Sequence, residues 1–463
     1  MKETIHPVDQ MLPMPRLFAY GLQHVLAMYA GAVAVPIILA QAMGLSTDAL
    51  IRLINADLFT CGIATLIQTL GFWKIGARIP MIQGVTFAAV SPMIMIGLEH
   101  GKGDIGMTYI YGAILIAGLF TFLVAPYVSR LIRFFPPVVT GSIITIIGIT
   151  LLPVAVKWVG GTPDASSPEF ASPINLFLAF VTLCIVVIVY RFCKGFMSNI
   201  SVLVGLIGGT IVAMLLGKTN FAAVGSSHWF GFVTPLDFGM PQFDIPSIIS
   251  MIIVMFVVMV ETTGDSIAIG EIVGRPIGKK ELAKCLRADG LSTMLGGFFN
   301  SFPYTAFAQN IGLISITRVK SRFVVAASGV ILVVLGLFPK MAAIIACIPN
   351  SVLGGAGLAM FGMIIASGIR TLGKVEFEGN YNLMLVGISI GVAMIPLAVP
   401  GFYHNFPKEA QIVLHSGITF GSIVAVLLNL ILNGPAQETT EEAMEKVKAF
   451  DRDAFDASHT DKE

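Results

Sequence analysis

Apolar runs long enough to cross a membrane recur along this chain from Leu17 to Ile431, with no long polar region between them. A membrane-spanning helix needs roughly 20 consecutive apolar residues, because the hydrocarbon core of a bilayer is about 30 Å thick. The composition agrees, since 56 % of the residues are hydrophobic, 12 % are charged and the mean hydropathy is +0.86. We therefore predict a multi-pass membrane protein with one multispan domain at 16–433, between an N-terminal tail at 1–15 and an acidic C-terminal tail at 434–463.

The positions of the basic residues favour a particular number of spans. If fourteen spans are drawn with both termini in the cytoplasm, six of the 28 Lys and Arg residues lie outside and 22 lie inside. The six outer residues are Arg52, Lys102, Lys157, Lys218, Lys340 and Lys408. Lys and Arg concentrate in cytoplasmic loops, and a twelve-span arrangement would move at least one basic loop outside. We therefore predict fourteen spans. The first begins near Arg16 and lacks a small-residue cleavage site, so we expect it to be retained and not removed as a signal peptide.

The two halves of the chain resemble each other at matching places. Pro80 in IPMIQGVTF and Pro303 in FPYTAFAQN lie 223 positions apart, and each comes six residues before a polar side chain. A second pair, FPPVVTGSIITIIG at 135–148 and IPNSVLGGAGLAMFG at 348–362, has an offset near 213. Seven spans per half make inverted repeats, in which broken helices meet near the membrane midplane and form a binding site. The sequence thus predicts an all-α fold of two inverted seven-span repeats, with spans 3 and 10 as half-helices with short extended stretches. The alternative is that Pro303 only kinks a packed helix.

Three carboxylates interrupt apolar spans in the second half. Glu261 lies about midway along its span, where a charge costs roughly 2.5 to 3.5 kcal/mol, so we expect it to have a function. Asp265 is four residues further on, hence on the same helix face, and two such acids favour proton binding. Asp289 is the third acid, and it is either functional or an ion-pair partner of the nearby Arg287 or Lys284.

Two further polar residues in apolar spans allow a structural interpretation. His24, beside Gln23 in the first span, either makes a hydrogen bond between helices or contacts a ligand. Asp57, in the outer part of the second span, is interpreted as structural.

Side-chain chemistry narrows the ligand only in part. A carboxylate that accepts hydrogen bonds, a carboxamide that donates and accepts, and an aromatic ring such as Phe87 or Phe307 suit a flat heterocycle with N–H and C=O edges. Sugars and amino acids are also bound by Glu and Gln, so residue types alone leave these ligands open.

One run of residues resembles a known signature. Residues 309–318, QNIGLISITR, match the pattern Q-N-x-G-x-x-x-x-T-R of the nucleobase-ascorbate transporter family, also called nucleobase:cation symporters. The pair Gln23-His24, ETTGD at 261–265 and RADG at 287–290 accompany it, so the resemblance extends to about Asn433. In character the chain is most similar to the bacterial uric acid and xanthine permeases.

The resemblance implies an architecture and a location. Members of this family have a core domain of spans 1 to 4 and 8 to 11 and a gate domain of spans 5 to 7 and 12 to 14. They are usually homodimers through the gate domain, and the core moves as an elevator. By this resemblance we expect a multi-pass protein of the bacterial inner membrane.

The resemblance also implies roles for individual residues. It makes Glu261 and Gln309 the side chains that hydrogen-bond the purine. Backbone amides near Ala308 and Thr86, the ring of Phe87 and the neighbouring Phe307 complete the expected pocket. The residues expected to support the site or couple transport are Asn310, Asp265, Asp289 and His24. The coupling ion is expected to be the proton, with no metal and no other cofactor.

Two positions bear on the choice of purine. Thr86 departs from xanthine-selective relatives, which tend to carry asparagine there, and its smaller side chain leaves room for the C8 oxygen of uric acid. Gln309 argues against pyrimidines, because relatives that take uracil usually carry an acid at that place. We expect oxidised purines, with uric acid favoured over xanthine.

Other functions are kept as alternatives. Anion transporters share the fold that the resemblance implies, but the sulfate group carries a large soluble C-terminal domain, and here only about thirty residues follow Asn433. Within that tail, TTEEAMEKVKAF predicts a short capped helix. A permease for another nucleobase such as uracil is a further alternative. No nucleophile and base pair or metal-ligand spacing supports an enzyme, and with a net charge of +1 and no basic cluster we expect no nucleic acid partner.

Overall fold

The computed structural model describes residues 6–162, 166–378 and 380–434. The helix predicted from TTEEAMEKVKAF lies outside these residues. Helices dominate the described chain, and two short strands are the exception. Four short 3-10 segments, Pro7–Asp9, Phe87–Ala89, Ala125–Tyr127 and Ile132–Phe134, connect or extend helices.

The elements are numbered in chain order. The first half contains α1 (Met14–Met43), α2 (Thr47–Leu70), β1 (Gln83–Val85), α3 (Val90–Glu99), α4 (Gly103–Val124), α5 (Val128–Leu131), α6 (Pro137–Val159), α7 (Pro173–Phe192), α8 (Phe196–Asn199), α9 (Ser201–Leu215) and α10 (Ala222–Ser226). The second half contains α11 (Ile245–Val273), α12 (Lys279–Phe298), β2 (Tyr304–Ala306), α13 (Gln309–Thr317), α14 (Arg322–Gly336), α15 (Pro339–Ala346), α16 (Asn350–Leu372), α17 (Asn382–Ala398), α18 (Lys408–Leu414) and α19 (Gly417–Leu432).

Length and hydropathy identify fewer spans than the sequence predicts. Within the described residues, seven helices are long and apolar enough to cross a membrane, and two sharply bent helix pairs would raise the number to nine. The remaining predicted spans fall on short helices such as α3 and α13, or on α12, whose first turns are rich in lysine. The structure thus supports a multi-pass helical protein, while the count of fourteen and the inverted repeat stay predictions.

The helices pack in two groups. The first bundle, α1 to α4 with α11 to α14, is held together by contacts of α14 with α1 and α2 and of α4 with α11 and α12. The second bundle contains α6, α7, α9, α16, α17 and α19, with α6 against α16 as its largest interface. Glycines bring α6 and α16 close together, since a methyl group at Gly354 would lie 2.7 Å from the carbonyl carbon of Trp158. These two helices begin at Pro137 and Asn350, within the second pair of similar segments.

A two-stranded antiparallel ribbon joins the halves of the chain. Gln83 pairs with Ala306, and Val85 pairs with Tyr304. Just beyond the strands, the Thr86 N–H donates to the Pro303 carbonyl oxygen at 3.0 Å. Strand pairing of this kind satisfies backbone groups that could not remain free inside a membrane. Both predicted breaks therefore carry the expected extended stretch, and the interpretation of Pro303 as a kink in a helix is wrong, because the residue precedes a strand.

The N-terminal segment fastens one end of the first bundle. Asp9 receives hydrogen bonds from Arg322 at 2.6 Å and from Arg275 at 3.3 Å, one to each carboxylate oxygen. Arg322 also donates to the carbonyl oxygen of Thr69 at 2.9 Å. Val8 is fully buried beside them. The segment therefore connects the ends of α2, α11 and α14.

Candidate substrate site

A cavity of about 1880 Å³ lies between the two bundles and reaches the ribbon. All six predicted substrate-binding residues line it, together with one of the predicted coupling residues: Thr86, Phe87, Phe307, Ala308, Gln309, Glu261 and Asp265. The ribbon brings them together, because it ends where the 3-10 turn at Phe87–Ala89 and helix α13 begin. The cavity is large enough to take a small heterocyclic ligand.

Helix α11 contributes two acids to the cavity wall. The Glu261 carboxylate lies beside the Thr305 hydroxyl of β2, which is 3.2 Å from the Thr262 hydroxyl. Asp265 follows one turn later, and its buried Oδ2 has no hydrogen-bond partner among the described residues. A methyl group at Gly264 would meet no atom within 4 Å, so this face of α11 is open to the cavity. A ligand in the cavity can therefore reach the Glu261 carboxylate.

The start of helix α13 presents amide groups to the same cavity. Gln309 is its first residue, and in the described part of the chain its side chain has no hydrogen-bond partner. The N–H of Ala308, the residue before it, has no acceptor there either. The first N–H groups of a helix lack partners within the helix and carry a partial positive charge. This end of α13 can thus donate hydrogen bonds to a ligand oxygen.

Two aromatic rings form an apolar wall. Phe307 is held between α1 and β1, where a methyl group at Gly31 would lie 2.8 Å from its ring and one at Gly84 would overlap it. Phe87 lies edge-on to Phe361 of α16, with the ring centroids 6.0 Å apart. The glycines leave the space that the Phe307 ring needs.

Thr86 is already engaged in local structure. Its hydroxyl accepts a hydrogen bond from the Ala88 N–H at 3.1 Å and caps the following 3-10 turn, while its own N–H donates to Pro303. The residue is 1 % exposed. Its N–H is thus unavailable to a ligand in this arrangement.

Asp289 is close to the acids of α11 but does not line the cavity. The side chain is fully buried, near Thr262 and Gln83. No ion pair of Asp289 occurs in the described ranges. Arg287 instead donates to the Lys74 carbonyl oxygen. The ion-pair alternative for Asp289 is therefore wrong.

His24 and Asn310 contact each other and not the cavity. The Asn310 side-chain amide lies 3.1 Å from His24 Nδ1 and donates to the His24 carbonyl oxygen at 2.9 Å. Both residues are almost fully buried. The structure therefore agrees with the interpretation of His24 as a residue in a hydrogen bond between helices, and not with a ligand contact. The contact fixes α13, and with it Gln309, against α1.

Asp57 belongs to a separate buried cluster. Its Oδ1 receives hydrogen bonds from Ser301 and Tyr304, both at 3.1 Å. The structural interpretation fits these contacts, because they attach α2 to the segment that leads into β2.

Residue patterns missed two kinds of residue, one that packs behind the cavity wall and others that line it. Phe361 contacts Phe87 and is fully buried, and its place in the second repeated segment was the available signal. Arg370 of α16 lines the cavity and is the cation that acts electrostatically on Asp265. Nine Lys and Arg residues line the cavity in all: Lys74, Arg130, Arg133, Lys279, Lys280, Lys284, Arg287, Arg370 and Lys374. Most of them lie at helix ends or in loops, and Lys284 and Arg287 lie in the first half of α12. The cavity therefore extends from the ribbon to the end of the molecule where these cations lie.

Comparison with known proteins gives consistent matches. A sequence model of the Permease family, Xan_ur_permease, matches residues 15–402. The uric acid transporter UacT of Escherichia coli K12 is 46 % identical over 429 residues, which cover 92 % of this chain and 88 % of that protein. A xanthine permease of Bacillus subtilis 168 is 43 % identical over 430 residues, which cover 92 % and 97 %.

A solved structure shows the fold. The transmembrane domain of a cyanobacterial bicarbonate transporter, BicA, aligns with a TM-score of 0.55 at 16 % identity and covers 90 % of this chain and 98 % of that one. At this identity the likeness concerns the fold alone. The sequence matches confirm the predicted family. The chain belongs to the Permease family, the nucleobase-ascorbate transporter family that its Q-N-x-G-x-x-x-x-T-R run indicates, and it is therefore a multi-pass transporter and not an enzyme.

Proposed function

We propose that this protein takes up oxidised purines, uric acid or xanthine or both, together with protons. The observation that carries the proposal is the shared position of the Glu261 carboxylate and the unpaired Gln309 carboxamide in one cavity beside Phe87. A carboxylate accepts hydrogen bonds from ring N–H groups, and a carboxamide both donates and accepts. The aromatic wall suits a flat ring. The names of the two relatives support the same substrates.

Proton coupling is proposed for the buried acids. Asp265 has Glu261 and Asp289 as charged neighbours, and Arg370 across the cavity is the opposing cation. A buried carboxylate with few hydrogen-bond partners takes up a proton more readily than one in water. Binding and release of a proton at Asp265 or Asp289 would therefore accompany binding and release of the purine at Glu261.

The two bundles suggest how the site moves. We assign the first bundle as the core and the second as the gate, so that the core carries the ribbon and the site past α6 and α16 as an elevator. The cationic end of the cavity is assigned to the cytoplasm, because basic residues concentrate on that side. Both termini would then be cytoplasmic, in a bacterial inner membrane, and the site in this structure would be open inward. A homodimer through the second bundle completes the proposal.

An anion transporter is the second candidate. Nine cations line the cavity, and BicA has the same fold. Against this, the carboxylates of Glu261 and Asp265 line the same cavity. Repulsion between like charges at short range disfavours anion binding beside them.

Uptake measurements distinguish these functions. Radiolabelled uric acid and xanthine are supplied separately to cells without their own purine permeases, with and without a protonophore. We expect protonophore-sensitive uptake of at least one purine by the wild type, and its loss in Gln309→Ala. Ser315→Ala, an exposed change on the same helix, is the matched control.

The outcomes separate the parts of the proposal. Uptake of xanthine alone would refute the Thr86 argument and leave the site in place. If the protonophore does not change the rate of purine uptake, proton coupling is refuted. If neither purine enters, the purine proposal is wrong, and uptake of bicarbonate or sulfate would then support the anion alternative.

A further inference from the structure

Three polar side chains connect the two bundles at helix ends. Trp158 Nε1, at the end of α6, donates to Gln41 Oε1, near the end of α1, at 2.5 Å. Gln41 Nε2 donates in turn to Oδ1 of Asn350, the first residue of α16, at 2.9 Å. The side-chain Nδ2 of Asn350 donates to the Gly161 carbonyl oxygen at 3.5 Å. Gln41 therefore holds one helix of the first bundle to two helices of the second.

This contact lies far from the cationic end of the cavity. Helix α16 runs from Asn350 to Leu372, and its last turns carry Arg370, which lines the cavity. Twenty residues of α-helix span about 30 Å, the thickness of a membrane core. The Gln41 contact thus joins the two bundles at the end of the molecule opposite to the cations that line the cavity.

A continuous row of rings leads from this contact to the site. The Trp158 and Phe361 rings have centroids 6.4 Å apart, and the Phe361 and Phe87 centroids are 6.0 Å apart. Trp158 is 3 % exposed and Phe361 is fully buried. Phe87 lines the cavity. Three packed rings therefore connect the cavity wall at Phe87 to the Gln41 contact.

We propose that Gln41, with Trp158 and Asn350, is a positioning residue that seals the site from the extracellular face and, through Phe361, holds Phe87 in place. The inference rests on the proposed function, because it needs a site that opens to each face in turn. When the site opens outward, Gln41 leaves Trp158 and Asn350, and water replaces these partners. Hydrogen bonds between polar side chains suit a contact that breaks in every cycle, since water can take over both partners at a small net cost.

The proposal predicts effects of opposite sign at the two faces. When a smaller fraction of the protein is open to a face, the apparent affinity for substrate at that face is lower. Gln41→Ala removes two hydrogen bonds from the inward-open state, which shifts the equilibrium outward by roughly three- to tenfold or more. The apparent KM for the transported purine should therefore fall at the extracellular face and rise at the cytoplasmic face. A purely structural defect would lower the maximal rate without this split.

The measurement is purine exchange in right-side-out and inside-out vesicles, with xanthine and uric acid tested separately. Asn350→Ala should reproduce the KM split of Gln41→Ala, whereas Asn350→Asp, which keeps the acceptor for Gln41, should retain wild-type KM values. Gln411→Ala, at a half-buried glutamine whose side chain donates only to the carbonyl oxygens of His404 and Phe406, is the control. Thermal unfolding of each purified variant tests whether it folds.

The results decide between the two levels of the argument. The inference would be overturned if Gln41→Ala had the wild-type KM at each face. It would also be overturned if the variant changed KM in the same direction at both faces. If Gln41→Ala does not fold, Asn350→Ala carries the same comparison. If wild-type vesicles exchange neither purine, the proposed function is wrong. That failure is seen in the wild type alone, so it is distinguishable from a failure of the inference, which is seen only in the variants.

Discussion

Asn310 donates a hydrogen bond to the carbonyl oxygen of His24 at 2.9 Å, and its side-chain amide lies 3.1 Å from the His24 ring nitrogen Nδ1. One residue therefore joins the helix that begins with Gln309 to the first helix of the chain. The position of Gln309 in the cavity depends on this connection, because Asn310 follows it directly.

Asn310→Ala should weaken purine binding without removing it. The change leaves His24 without its partner and loosens the start of α13, which costs about 1 kcal/mol per lost hydrogen bond and raises the apparent KM roughly fivefold. Uptake kinetics measure this effect. Ser315→Ala, on the same helix and exposed, should keep the wild-type KM. A normal KM in Asn310→Ala would show that the contact does not position Gln309.

Asp265→Asn and Asp289→Asn should separate accumulation from exchange. Asparagine keeps the size of the side chain but cannot bind or release a proton, so proton-driven accumulation should fall roughly tenfold or more. Exchange of labelled for unlabelled purine needs no net proton movement and should persist. Asp48→Asn, at an exposed acid at the start of α2, is the control. Full accumulation in both variants would exclude these acids from coupling.

Gly84→Ala should disturb the site through the Phe307 ring. A methyl group at Gly84 would overlap that ring, and overpacking of this kind costs about 1 to 3 kcal/mol. We expect a higher apparent KM and lower uptake at a similar amount of protein in the membrane. Gly391→Ala in α17 has no atom within 4 Å of the added methyl group and should behave as wild type. Equal uptake by both variants would contradict the tight packing of Phe307.

Asp9→Ala should lower thermal stability more than transport. Its carboxylate connects Arg322 and Arg275, and because all three side chains are partly exposed we expect a loss of about 1 kcal/mol. The check is the unfolding temperature of the purified protein at low and high salt, where the difference from wild type should shrink as salt rises. Glu169→Ala, an exposed acid in a loop, should leave the temperature unchanged. A salt-independent loss would point to packing of the segment and not to charge.

The broken segments were predictable because their cause is local. Proline at positions 80 and 303 ends regular structure, and the polar residues after each proline mark a site that must face a cavity. The position of Glu261 in the cavity wall was predictable for a related reason, since a midspan charge needs a partner or a ligand. Each of these features is a single proline or polar residue within an apolar segment, so it can be recognised from the sequence alone.

Other parts of the site depend on contacts that leave no local pattern. Gln41 and Trp158 lie 117 positions apart, and nothing near either residue distinguishes it from a membrane-interface side chain. Backbone amides near Thr86 were expected to face a ligand, and the N–H of Thr86 itself is paired with Pro303 from the other half of the chain. Such contacts follow from the way the bundles pack, so only the folded structure displays them.

The pairing of Gln83–Val85 with Tyr304–Ala306 also sets an order of events during synthesis. A ribosome adds about 5 to 20 residues per second, so β2 emerges roughly 10 to 45 s after β1. Until then, the backbone groups of β1 lack the strand that satisfies them in the finished protein. The first half of the chain is therefore inserted before its central ribbon can form. Because the site also includes Gln309, no nascent chain shorter than about 309 residues can possess a complete site.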